Sequence, residues 1–266
     1  LITGSFVREG TQYIANCIKP MLSGNPTITQ RSPVLNAPII SGMVPCNIVA
    51  EEILADHPAR YRAMIVESAN PAHSTADTKK FIKAMGRLEC SVVIDIAMTE
   101  TAKHADYVLP TTTQYEKAEA TFFNFEFPNN YFHLRHPVIE PPNNSEVLDE
   151  GEIHARIVEQ LNELPIEISH INKRLKKMGK EHFPQILEEA ARKNPKINSY
   201  APVVLYRTLG QFLPKGLANG ASLWKTAHKV ATRALDSIEK AGIRGNNPKD
   251  FGENLFYEFI SNPHGL

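Results

Sequence analysis

Two short apolar runs, Ala63-Met64-Ile65-Val66 and Val92-Val93-Ile94, carry little polar alternation, the pattern of strands buried on both faces of a parallel sheet. The residues between them predict a helix. Phe81, Met85 and Leu88 recur near helical spacing around Gly86, and Ser74 is placed to cap the start with Asp77 three positions on. The unit is therefore strand, helix, strand. Open sheets of this kind collect ligands outside the carboxyl ends of their strands, which puts Asn70 and Asp95 on one rim. Helix-start amides near Ser74 and Thr99 would face phosphate oxygens there. Farther along, Ile153, Ile157, Leu161 and Leu164 form one apolar stripe and predict a helix over 151–164, ended by Pro165. A second stripe, from Leu223 through Ala227, Val230, Ala231, Ala234 and Leu235 to Ile238, predicts a helix over 222–240 before Gly242, with Trp224 as a core or interface residue.

Breakers divide the remainder. Prolines and glycines crowd residues 1–45, which read as an irregular lead-in packing on sequence outside this chain. A short helix begins at Glu51, and residues 121–134, rich in Phe, Tyr and Asn with Pro128 inside, read as loop and short strands. Beyond residue 165 the helical patterns are interrupted at Pro184, Pro195, Pro202, Pro214 and Pro248. The expected fold is α/β: a Rossmann-like, open, mostly parallel sheet with flanking helices over 46–165, followed by a mainly helical extension over 166–266.

A chain of 266 residues can bury a large core, about 70–75% of its extended surface. Its 29 basic and 29 acidic side chains cancel, so no global field would hold a nucleic acid or an anionic membrane surface. Lys215, Lys225, Lys229 and Arg233 give the extension a basic face, which reads as solvated surface. No apolar stretch approaches the roughly 20 residues of a membrane span, and no signal-peptide pattern is present. The opening Leu1-Ile2-Thr3-Gly4-Ser5 reads as the inside of a longer protein, expected to be cytoplasmic. Cys17, Cys46 and Cys90 lie too far apart in sequence for the closely spaced sets of iron–sulfur or structural zinc sites and read as reduced thiols. His133 and His136 lack a convergent third ligand.

The candidate chemistry lies in two linked segments. Val92-Val93-Ile94-Asp95 leads into Thr99-Glu100-Thr101-Ala102-Lys103-His104-Ala105-Asp106-Tyr107-Val108-Leu109-Pro110, and upstream the other strand ends in Glu67-Ser68-Ala69-Asn70-Pro71 with His73-Ser74 following. In this order the two segments resemble the signature of molybdopterin-dependent oxidoreductases of the dimethyl sulfoxide reductase superfamily. The resemblance covers residues 40–165 well and the rest weakly. It implies a domain that holds one arm of a molybdopterin guanine dinucleotide cofactor carrying molybdenum or tungsten. Asn70 and Pro71 would meet phosphate or ribose, Asp95 the guanine, and Thr99 and Thr101 neighbouring polar atoms. A carboxylate is acceptor-only and can take two parallel bonds from the guanine ring N–H and amino group, a donor pair that adenine lacks. Asp95 by itself reads more readily as a helix cap at a strand end, and the motif around it turns the reading toward guanine.

Downstream, Gln114-Tyr115-Glu116-Lys117 through Thr121, Asn124 and Glu126 is similar to the family's segment running toward the pterin, although Glu116 and Lys117 also read as a surface pair. The pattern departs from the family's at Ser68 and Ala120, where Gly is frequent, and at Phe127-Pro128, where a basic residue is usual. Nothing resembles the metal-ligating residue, so no catalytic residue is assigned. The resemblance further implies an iron–sulfur cluster in sequence preceding this chain, with the remainder of the same enzyme and an electron-transfer subunit as partners. A cofactor-free scaffold of an electron-transfer assembly is the alternative. An unrelated nucleotide module is a second alternative, against which the lack of G-x-G-x-x-G after either strand weighs.

Overall fold

The computed structural model describes residues 30–39, 42–120, 134–143 and 146–261. The described residues divide into an α/β unit, 30–39, 42–112, 142–143 and 146–148, and a helical unit, 113–120, 134–141 and 149–261.

The α/β unit is built on three parallel strands in the order β1 (Ala63–Glu67), β2 (Cys90–Asp95), β3 (Tyr107–Pro110). Ile65 pairs with Val92 and Val92 with Tyr107, so the three strands end together near Glu67, Asp95 and Pro110. Helices α1 (Val49–Leu54), α2 (Pro71–Ser74) and α3 (Thr78–Met85) complete the unit. Ala50 and Ile53 of α1 pack with Phe81, Ala84 and Met85 of α3, while Val66 and Val93 of the sheet pack with Ala102. Met64 touches both groups. The expectation of strands buried on both faces is corrected here. β1 alternates, with Val66 buried and Ile65 54% exposed, and Tyr107 across the sheet is 63% exposed. One face carries the helices; the other is closed at Ile94 and open at Ile65 and Tyr107.

The expected cap is corrected as well. Pro71 starts a separate single turn, α2, and Ser74 closes it by donating its hydroxyl to the Asn70 carbonyl at 3.0 Å. The chain is extended at Thr75, and Asp77 caps α3 by accepting the Lys80 N–H at 2.9 Å. In the described part of the lead-in, fully buried Glu52 accepts the backbone N–H groups of Val34 and Leu35 at 3.1 and 2.9 Å, which ties that loop to α1.

Among the described residues the helical unit holds a two-residue antiparallel pair, β4 (Glu119–Ala120) with β5 (Leu134–Arg135), and eight helices: α4 (Glu150–Gln160), α5 (Glu167–Met178), α6 (Phe183–Lys193), α7 (Lys196–Ser199), α8 (Ala201–Arg207), α9 (Leu223–Arg233), α10 (Leu235–Lys240) and α11 (Pro248–Ser261). Its core gathers Ile171, Leu175, Phe183, Ile186, Leu205, Leu209 and Phe256, and Trp224 packs edge-on against Phe183 with ring centres 5.2 Å apart. The helix expected over 222–240 is two helices, because Ala234 leaves helical geometry at φ −138°, ψ 43°. Leu223, Ala227, Ala231 and Ile238 are nonetheless buried, as the stripe requires. Helix α4 ends earlier than expected: Asn162 turns the chain at φ +54°, and Leu161 is left 66% exposed. No helix among the described residues is long and apolar enough to cross a membrane.

Candidate functional site

Strand β1 hands over to the rim through Ser68, which donates its N–H to the Ile94 carbonyl at 3.1 Å and sits at φ +50°. That left-handed conformation costs a side-chain-bearing residue about 1–2 kcal/mol and is the region glycine favours, so the departure Ser68 falls where the backbone asks for Gly. The turn delivers Asn70 to the start of α2. Its side chain makes no bond to its own helix and crosses instead to the loop after β2.

There Asn70 Oδ1 accepts the Thr101 N–H at 3.2 Å and the Thr101 hydroxyl at 2.8 Å, while Nδ2 donates to Glu100 Oε2 at 2.5 Å. Thr101, with no exposed surface, accepts the Ala72 N–H on Oγ1 at 3.0 Å. The loops after β1 and β2 are thus closed into one hydrogen-bonded clasp. Asn70 and Thr101, named separately from sequence, are brought together, but as partners of each other. Donation from Asn70 holds the Glu100 carboxyl below the usual range, helped by its own backbone and by His73 and Lys103.

Asp95 stands half-buried at the end of β2. Its Oδ1 accepts the N–H of the next residue, Ile96, at 2.7 Å, and no hydrogen bond reaches Oδ2 among the described residues. The carboxylate does not cap a helix. That work falls to Thr99, whose hydroxyl accepts the Ala102 N–H at 3.3 Å over the 3-10 turn Ala102–His104. Ile96 and Met98 on the same loop are 61% and 60% exposed. Pro71 occupies the first position of α2 and Ser74 its last, with the Ser74 hydroxyl donated inward. Asn124, Thr121 and Glu126 lie outside the described residues.

Three further polar groups brace the strand termini, Glu100 and Thr112 at the rim and Asp106 at the opposite, amino end of the sheet, without having been singled out from sequence. Glu100 is one; a lone acid in a loop gives no signal of its role. Asp106 accepts the Ser91 N–H and hydroxyl at 2.7 and 2.8 Å, which lowers its carboxyl from the usual range and pins the start of β3 to β2. Thr112, just past β3, buries a hydroxyl that has no partner, while neighbouring Thr111 donates to the Leu148 carbonyl at 2.9 Å. The signal was the Thr111-Thr112-Thr113 run after Leu109-Pro110. An ionic acceptor with an open oxygen and an orphaned hydroxyl beside strand ends fit a polar nucleotide ligand. No group of His, Cys, Asp and Glu among the described residues could hold a metal ion.

A family profile described as molybdopterin oxidoreductase matches residues 34–146. Among curated proteins, a probable oxidoreductase of Bacillus subtilis is 32% identical over 92 residues, 35% of this chain and 14% of its own. A dimethyl sulfoxide/trimethylamine N-oxide reductase of Rhodobacter capsulatus is 33% identical over 92 residues, 35% and 11% of the two chains. The alpha subunit of a formate dehydrogenase of Methanocaldococcus jannaschii is 34% identical over 110 residues, 41% and 16%. The aligned part therefore spans at most 16% of the length of these three relatives. Both strand-end loops of the rim fall inside the profile match.

Proposed function

We propose that the α/β unit, where residues 34–146 match the molybdopterin oxidoreductase profile, binds the guanine nucleotide arm of a molybdenum or tungsten pterin cofactor, as part of an enzyme of two-electron redox chemistry. The observation that carries this reading is Asp95, a carboxylate at the end of the middle strand that caps no helix and keeps one oxygen open. When bound, the metal and its pterin supply the redox step. The residues of this chain bind and orient. Asp95 would accept from the guanine ring N–H and amino group, and the loops clasped through Asn70 would present Pro71, Ser74 and Thr99 toward ribose and phosphate. The metal-ligating residue, any iron–sulfur cluster and an electron-transfer subunit are assigned by this reading to other parts of the enzyme.

Nucleotide titration tests it directly. GDP should bind to the chain more tightly than ADP, and Asp95→Ala should remove that preference. Losing charge-assisted bonds of about 1.5–3 kcal/mol each lowers GDP affinity at least roughly tenfold. Equal affinity for GDP and ADP in the unmutated chain, or unchanged GDP affinity in Asp95→Ala with the sheet intact, would overturn the assignment.

A further inference from the structure

Asn70 can serve the rim only in one orientation of its amide. Thr101 N–H is a donor, so it must meet the Asn70 oxygen, and the Asn70 nitrogen then needs an acceptor on its other side. Glu100 supplies it, at 2.5 Å, and a carboxylate can do nothing but accept. The Thr101 hydroxyl is committed in the same sense, giving its proton to Asn70 Oδ1 and receiving the Ala72 N–H. Every member of this circuit has one allowed role, and the only exposed, charged member is Glu100.

From this geometry we infer that Glu100 is a positioning residue for the nucleotide site: it fixes the Asn70 amide and so holds the loop carrying Pro71 and Ser74 in register with the loop carrying Asp95 and Thr99. The inference rests on the nucleotide-binding reading above but concerns a residue outside the ligand contacts. Removing the carboxylate leaves the Asn70 amide nitrogen without its acceptor and the orientation of the amide set by the two Thr101 bonds alone, so the bonds that join the two loops weaken together. A ligand that needs both loops at once must reorder them on binding, which lowers affinity without weakening the sheet. Ionisation of Glu100, favoured here by its neighbours, keeps the bond charge-assisted at neutral pH.

The test uses the full chain with two readouts, amide hydrogen exchange at Thr101 and titration with GDP as the probe. In Glu100→Ala, protection of the Thr101 N–H should fall about tenfold or more and GDP affinity roughly tenfold, while β2 and helix α11 keep their protection. Glu100→Gln restores a carbonyl acceptor of the same reach and should recover both; Glu100→Asp, one methylene shorter, should not. Unchanged Thr101 protection in Glu100→Ala, or failure of Gln to rescue it, would overturn the positioning role. If the unmutated chain ignores GDP, the nucleotide reading falls, and Thr101 exchange alone still decides whether Glu100 holds Asn70.

Discussion

Ser68 and Asp106 show opposite ways in which one side chain sets a strand end. Ser68 accepts a left-handed backbone at φ +50° so that the chain can pair once more with β2 and then swing Asn70 across the rim. Such strain persists only where surrounding bonds over-determine the turn, and here the Asn70–Thr101 circuit does so. Asp106 relieves rather than stores strain, because both of its bonds to Ser91 favour the ionised carboxylate. A carboxyl whose folded pKa is depressed adds stability above its unfolded value, about 3.9, and loses it as pH falls through the lower folded value. Urea unfolding of the unmutated chain should therefore weaken more steeply on acidification below pH 4 than that of Asp106→Asn. The two curves should converge at the acid end, and parallel curves would show that Ser91 does not favour the charged form.

Between elements, α11 approaches α9 closely at Gly252, where a Cβ would lie 2.5 Å from Nδ1 of His228. The imidazole cannot easily retreat: its Nε2 pairs with Glu253 at 2.9 Å and its ring lies against Trp224, centroids 4.1 Å apart. Gly252→Ala should then cost about 1–3 kcal/mol by overpacking, read in denaturant unfolding. Gly86, whose nearest atom to an added Cβ is 3.7 Å away, is the control expected to tolerate Ala. Neither fact was legible in sequence, where Gly252 is one glycine in a helical pattern. What periodicity did reveal was the stripes, since Ile153, Leu223, Ala227 and Ala231 are buried as their spacing demands. It missed the ends, because Ala234 and Asn162 break their helices through backbone angles that no breaker residue announces. The rim was legible through chemistry that a strand end favours, Asp95 and Asn70. Glu100 was hidden because its role depends on a partner 30 residues away.

The two units differ in how much they bury, and that difference predicts where a ligand acts. Among the described residues, the helical unit's core cluster contains 25 buried apolar residues, against six and three in the two small clusters of the α/β unit. The sheet of the latter also leaves Ile65 and Tyr107 open on one face. Opening free energies follow local burial, so native-state hydrogen exchange should find β1, β2 and α3 opening more readily than α5, α9 and α11. A ligand that binds only the closed α/β unit slows its opening by a factor of 1 + [L]/Kd, about 100-fold or 2.7 kcal/mol at a hundred times Kd. Added GDP should accordingly raise protection in β2 and in the clasped loops by up to that factor. Protection in α9 and α11 should stay where it was, because the nucleotide contacts proposed here come from the loops at the strand ends. Equal gains in both units would mean that the nucleotide is held by residues of each, and gains confined to α9 and α11 would place its site away from Asp95.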